Sequence, residues 1–488
     1  MKQAILRGVP LAMKRDGWWL GPIEHSYVPA PRTRNTWWLG PGVLLAMIAL
    51  GDVLVWQTRP GISLALFGAL LGAAVLALSG LKGRQLALAA GGVAFSLLPL
   101  VELVQPLSIL IWLMGLSLTC AFAAGLRRPQ LIRAALRFFW VAPWSCLTDA
   151  AGGARKLVER PAPKLSVAAA LMNWAVPLGL GAVFALLIVG ANPVLDGWLT
   201  DLSRLQVDLP EAGRVVFWAL LALLIWPCLH VTRLTERLRP APPRQTVRRP
   251  GLINPQSVSR SLVLFNALFA VQTVMDAALL GGEGQLPDGM TYATYAHRGA
   301  YPLLVTALLA GGFAVLANPY ADRPLIRAML LVWIAQTLAL VAASVVRLEI
   351  YVDVYGLTRL RLAAFIWMGV VATGLAITFA QVASRQNTAW MLARCGLLGA
   401  VTLYVCAFFN FDGAIARYNL NQPVPLDAWY VCQLSEGAVP EITAWQAARG
   451  RTLCTYTSPS LHTPLGWYEW GFRNARLRHS LAGMEQPR

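Results

Sequence analysis

Charge is what this sequence has least of. Only 13% of its 488 residues are Asp, Glu, Lys or Arg, and lysine stands at just Lys2, Lys14, Lys82, Lys156 and Lys164. With 57% hydrophobic residues and a mean hydropathy of +0.55, that poverty excludes an ordinary soluble domain and places the chain among integral membrane proteins. Cysteine is scarce too, at seven positions, and none forms the CxxC spacing of a zinc ribbon. HExxH, GxSxG and the phosphate-binding GxxxxGKS/T are all missing. No metal or cofactor is therefore expected, and the chain leans away from being an enzyme. A cleavable signal peptide is not expected either, because Lys14, Arg15 and Asp16 interrupt the first apolar run.

What charge there is, is mostly positive, a net +18 carried almost wholly by arginine. In a soluble protein that balance suggests nucleic acid. Here the arginines lie between apolar runs, where they orient a chain in the bilayer, so the expected partner is lipid and not nucleic acid.

An apolar run of about twenty residues crosses the hydrocarbon core as a helix, and by that measure the chain holds about eleven spans, an all-α polytopic bundle. Their cores run Val43 to Trp56, Gly61 to Leu78, Leu86 to Val104, Leu107 to Ala124, Val167 to Gly190, Val215 to Val231, Leu262 to Leu280, Tyr301 to Ala317, Leu325 to Val346, Leu362 to Val382 and Met391 to Phe409. The expected organisation is a basic tail (1–40), a first membrane half (41–234) with a basic inner loop at 126–165, an Arg/Pro-rich linker (235–258), a second half (259–409) and a small C-terminal domain (410–488). Gly68 and Gly72 form a GxxxG that lets helices approach closely.

Lys82, Arg84, the block from Arg127 to Lys164 and the linker arginines share one side if the N-terminus is inside, which the positive-inside rule makes the cytoplasm. The C-terminal segment then lies outside. Three arginines, Arg347, Arg359 and Arg361, fall on the wrong side. Cys432 and Cys454 are the two cysteines of the outer segment; they suit a disulfide in an oxidising compartment, with two free thiols as the alternative.

Polar residues from distant segments collect on that outer face. Asp276 lies one turn from the end of a span, where a carboxylate is expensive unless paired. Tyr292, Tyr295, His297 and Arg298 open the next span. RLEIYVDVYGLTRLR supplies Arg347, Glu349, Tyr351, Asp353, Tyr355, Arg359 and Arg361; NFDGAIARYNL supplies Asp412, Arg417, Tyr418 and Asn419. Arg347, Tyr351, Tyr355 and Arg359 recur every four residues, one stripe of a continuous helix. A break at Gly356 with Thr358 capping the next helix is preferred, because a helix from Leu325 to Tyr355 is about 45 Å long, longer than the hydrocarbon core. Two readings of the cluster stand side by side: a vestibule that binds an anion or relays protons, and a ring of interfacial side chains that neutralise one another. Asp52 and Glu102, near other outer ends, read as reaching water.

The blocks TYATYAHRGAY, YVDVYGLTRLR and DGAIARYNL, in that order, resemble a family of bacterial multi-pass membrane proteins, domain of unknown function four-one-seven-three. The resemblance covers roughly Asn254 to Pro440 and falls on Tyr292, Tyr295, Arg298, Gly299, Tyr351, Tyr355, Gly356, Leu357, Thr358, Arg359, Arg361, Ala416, Tyr418 and Asn419. It implies the bacterial plasma (inner) membrane and supplies no activity. The function expected first is a transporter or channel-like permease for a small solute or ion. Next comes a non-catalytic sensor, scaffold or envelope-assembly component with an envelope protein partner, and then a membrane enzyme acting on a lipid or glycan.

Overall fold

The computed structural model describes residues 39–126, 130–158, 211–230, 254–280, 306, 309–422, 426–455 and 458–485. Among the described residues all regular structure is helical. Eight of the described helices are long and apolar enough to cross a membrane: α2 (Ile62–Ser79), α3 (Gly83–Glu102), α4 (Pro106–Ala123), α6 (Ala212–Leu229), α7 (Pro255–Leu280), α8 (Pro324–Tyr355), α9 (Arg359–Ala383) and α10 (Thr388–Phe408). Each coincides with an expected span. The shorter α1 (Leu39–Val55) takes the place of the first. Val167 to Gly190 lies outside the described residues, and of Tyr301 to Ala317 the continuous helical part described is 309–317.

The stretch read as a basic loop is different. Helix α5 (Gln130–Val158) runs through it, with Ala134, Ala135, Phe138 and Ala142 buried and Trp140 and Trp144 exposed. Arg133 and Arg137 dilute any averaged hydropathy there, while the helical period of the apolar residues survives beneath them. Among the described residues four short helices follow: α11 (Phe411–Asn421), α12 (Ala428–Cys432), α13 (Val439–Arg449) and α14 (Phe472–Glu485).

The described residues fall into two compact units. One is drawn from Met1–Trp56, Ala69–Val93 and Met114–Pro240, the other from Gln57–Gly68, Ala94–Leu113 and Ala241–Arg488. The C-terminal segment thus belongs to the second unit and is not a detached body. Within the first unit Asp52 keeps a partly exposed side chain and is paired as well: Arg214 grips it through Nε at 2.9 Å and through Nη2, and the Trp218 indole donates to it at 2.9 Å.

In the second unit α7, residues 309–317, α8 and α9 enclose a core of Leu262, Ala314, Leu330, Trp333, Ile334 and Leu375. Phe265, Phe269 and Phe313 pack around the Trp333 ring at centroid distances of 5.4 to 5.8 Å. A second core joins the end of α8 to the C-terminal helices through Val352, Ile415, Leu420, Val431 and Ile442.

Gly356 ends α8, and its backbone shows why. It adopts φ 74° and ψ 176°, a region open essentially to glycine alone. Thr358 then caps α9, its side chain accepting from the Arg361 N–H. The break falls where the glycine and cap residues place it, but the length argument for it fails. Helix α8 runs unbroken for 32 residues, about 48 Å at 1.5 Å per residue, and its last turns are held by the C-terminal helices. An added Cβ at Gly356 meets the Asn419 side-chain oxygen at 2.8 Å. Gly356→Ala is therefore expected to destabilise the second unit by about 1–3 kcal/mol, measured as a lowered thermal midpoint of the purified chain in detergent; an unchanged midpoint contradicts the strain assigned to this turn.

Candidate functional site

The polar residues of the second unit sort into pairs. Asp276 on α7 and Arg347 on α8 form a buried ion pair through one carboxylate oxygen and Nη2, and Gln272 donates to the same oxygen at 2.8 Å. Charges taken this far from water persist only when matched. Because the helix ends at Gly356, the four-residue stripe stops at Tyr355 and Arg359 opens α9; Tyr351 and Tyr355 lie at a centroid distance of 5.1 Å. Arg361 folds back over the Tyr351 ring at 4.3 Å and donates to the carbonyls of Tyr355 (2.9 Å) and Gly356. It thereby caps the C-terminus of α8, where the helix dipole favours a cation.

Just beyond, the α8–α9 turn is clasped by α11. Asn419 accepts from the Leu357 N–H at 2.7 Å and donates to the Leu357 carbonyl at 2.8 Å. Arg359 grips Asp412 with both arms of its fork, at 2.6 and 2.5 Å, while its backbone N–H donates to the Tyr430 hydroxyl at 2.8 Å. Burial pushes the Asp412 carboxyl up, but the Arg359 guanidinium and the donors of Ser435 outweigh it and hold the group below the usual carboxylate range. Tyr418 donates to Asp353 at 3.1 Å, and burial followed by that carboxylate raises its pKa. Arg417 pairs with Glu441. Glu349 is exposed.

Further along, Asn410 caps α11 and donates to the Gly437 carbonyl at 2.9 Å. Cys432 and Cys454 are joined by a disulfide, their Cα atoms 5.7 Å apart.

Glu102, read as reaching water, is instead buried at the end of α3. It accepts from Arg473 at 3.0 Å and Arg476 at 2.9 Å, both on α14. The rule applied to Asp276, that a carboxylate within an apolar span needs a partner, applies equally to Glu102; its partners lie 371 and 374 residues away, beyond any local pattern. A second attachment holds the same region, where the Ile62 N–H donates to the Trp470 carbonyl at 2.7 Å.

Between α9 and α10 lies a cavity of about 610 Å³. Ile366, Trp367, Val370, Leu403 and Cys406 line its length, and Arg359, Asp412, Asn410 and Arg473 stand at one end. Tyr292, Tyr295, His297 and Arg298 lie outside the described residues. Asp276 is paired with Arg347, Asp412 with Arg359, and Asp353 with the Tyr418 hydroxyl. Among the described residues no cluster of His, Cys, Asp and Glu has the arrangement of a metal site.

Fold and site together define an all-helical, multi-span membrane protein whose polar residues lock one end of a helical unit. The chain belongs to the family described as Domain of unknown function (DUF4153), whose model matches residues 39–444. The number differs from the four-one-seven-three that the sequence blocks suggest, and the match reaches far ahead of Asn254. No curated protein and no solved structure matches the chain.

The Asp276–Arg347 pair yields a double-mutant test. Asp276→Ala alone leaves a buried guanidinium unmatched and is expected to cost about 3–5 kcal/mol, whereas replacing both partners, Asp276→Leu with Arg347→Met, recovers most of that loss. Unfolding in detergent measures both, and additive losses in the double variant contradict the pairing.

Proposed function

We propose that this chain is a non-catalytic component of the bacterial plasma membrane, a sensor or scaffold acting through its C-terminal helical cap. The observation that carries this reading is the fate of the polar cluster, because the charges a permease would use are bound to one another. Arg347, Arg359 and Arg361 serve Asp276, Asp412 and the end of α8, respectively. A permeation path inward from Asp276 also needs room for water. Phe265, Phe269, Phe313 and Trp333 occupy that ground.

An enzyme of the lipid or glycan type needs carboxylates converging on one groove. Asp412 lies at the cavity, while Asp353 bonds Tyr418 and Glu349 is exposed. The scaffold reading needs a surface to offer a partner, and Trp429, Leu465 and Trp467 on the cap are 71%, 85% and 62% exposed. The disulfide fits an extracytoplasmic cap, with the N-terminus inside.

Complementation separates the readings. In a strain lacking the chain, the Asp276→Leu/Arg347→Met variant is expected to restore the lipid and metabolite profile of the wild type, whereas Arg359→Ala with Asp412→Ala, which loosens the cap, is not. Failure of the first variant despite normal assembly transfers the case to a permease with Asp276 at its centre. Orientation has a separate check. After reduction, a membrane-impermeant thiol reagent is expected to label Cys432 and Cys454 in intact spheroplasts, and labelling only after lysis places the cap in the cytoplasm.

A further inference from the structure

The cavity between α9 and α10 has the form of a lipid seat. Its long walls are apolar: Ile366 and Val370 on α9, Leu403 and Cys406 on α10, with Trp367 and Leu403 44% and 50% exposed, so that the groove opens sideways between two candidate spans. From Arg359 to Val370 it follows α9 for about 16 Å at 1.5 Å per residue. That is close to half of a hydrocarbon core of about 30 Å, the depth of one leaflet.

One end is ionic. Arg359 spends Nε and Nη2 on Asp412, and Arg473 spends Nε on Glu102 and Nη2 on the Ala407 carbonyl. In each fork Nη1 has no hydrogen-bond partner among the described residues. Arg473 is only 7% exposed and still lines the cavity, with its guanidinium held in place by Glu102 and the Ala407 carbonyl. Among the residues that line the cavity the charged ones are Arg359, Arg473 and Asp412, two cations against one carboxylate. A guanidinium fork matches phosphate oxygens in shape as well as charge.

We infer that this groove binds one anionic phospholipid of the leaflet on the side of the cap, with an acyl chain along α9 and α10 and its phosphodiester at Arg359 and Arg473. A small soluble anion would use the arginines and leave the apolar walls without purpose; a neutral chain would leave the charge unmatched. The site stands apart from the scaffold proposal, since a chain that binds no lipid here leaves the cap and its attachments unchanged.

Gly399 supplies the test. It lines the cavity, and a Cβ built on it meets nothing within 4 Å, as is also true of Gly374 on α9, which does not line the cavity. Full-length protein in detergent is titrated with phosphatidylglycerol or phosphatidylcholine of matched acyl chains and read by native mass spectrometry. Phosphatidylglycerol is expected to be retained about tenfold more tightly than phosphatidylcholine, and Gly399→Leu to weaken its retention about tenfold, with Gly374→Leu unchanged. Leu403→Trp, which narrows the same groove from a half-exposed position, gives the same readout if Gly399→Leu does not assemble. Equal retention of the two lipids by the wild type, or wild-type retention in the assembled groove variants, overturns the proposal.

Discussion

A charge at the end of an apolar helix must find an opposite charge, and the second unit is organised around that requirement. Water that would solvate Glu102, Asp276 and Asp412 on an isolated helix is displaced by packing, so each carboxylate recruits an arginine from another segment. These pairs do more than neutralise. Glu102 holds α14 to the end of α3; Asp412 holds α11 to the start of α9; Asp276 joins α7 to α8. The same constraint explains the arginines that break the expected charge bias. Arg347, Arg359 and Arg361 stand among their partners as structural cations, two matched by carboxylates and the third by the carbonyls at the end of α8.

Around the α8–α9 turn the consequences accumulate. The unusual φ of Gly356 frees Leu357 to present both its N–H and its carbonyl to Asn419, and the turn puts Arg359 where its fork meets Asp412. Of the residues with two readings, a vestibule or a set that neutralises one another, Arg359, Asp412, Tyr418 and Asn419 clasp the bundle to its cap. What stays available to a ligand is the remainder of two arginine forks, at the end of an apolar groove. The cap and the groove share Arg359 and Asp412, so both belong to one packed unit.

Much of this was legible beforehand. Apolar runs located the eight long helices, because a span must satisfy its own backbone and surround it with hydrocarbon. Gly356 and Thr358 marked a helix break through backbone chemistry that acts locally. Asp276 stood out as a carboxylate in need of a partner. Less visible was α5, whose arginines lower its average hydropathy while its apolar stripe persists. Glu102 and Arg473 were invisible as a pair, since nothing in either neighbourhood refers to the other. Whether a polar cluster is a vestibule or a clasp was equally closed to inspection, because the same Arg, Asp and Tyr residues serve both.

By itself, then, the sequence determined the membrane class, the positions of the apolar helices and the turn at Gly356, all properties of hydropathy and backbone preference within a dozen or so neighbouring residues. Tertiary structure alone decided which arginine answers which carboxylate, that the C-terminal helices belong to the second unit, and where an apolar groove meets two partly free guanidinium groups. The physical reason is range. Burial and helix propensity act along the chain, whereas charge pairing in a dry interior depends on which distant segments packing brings within about 3 Å of one another.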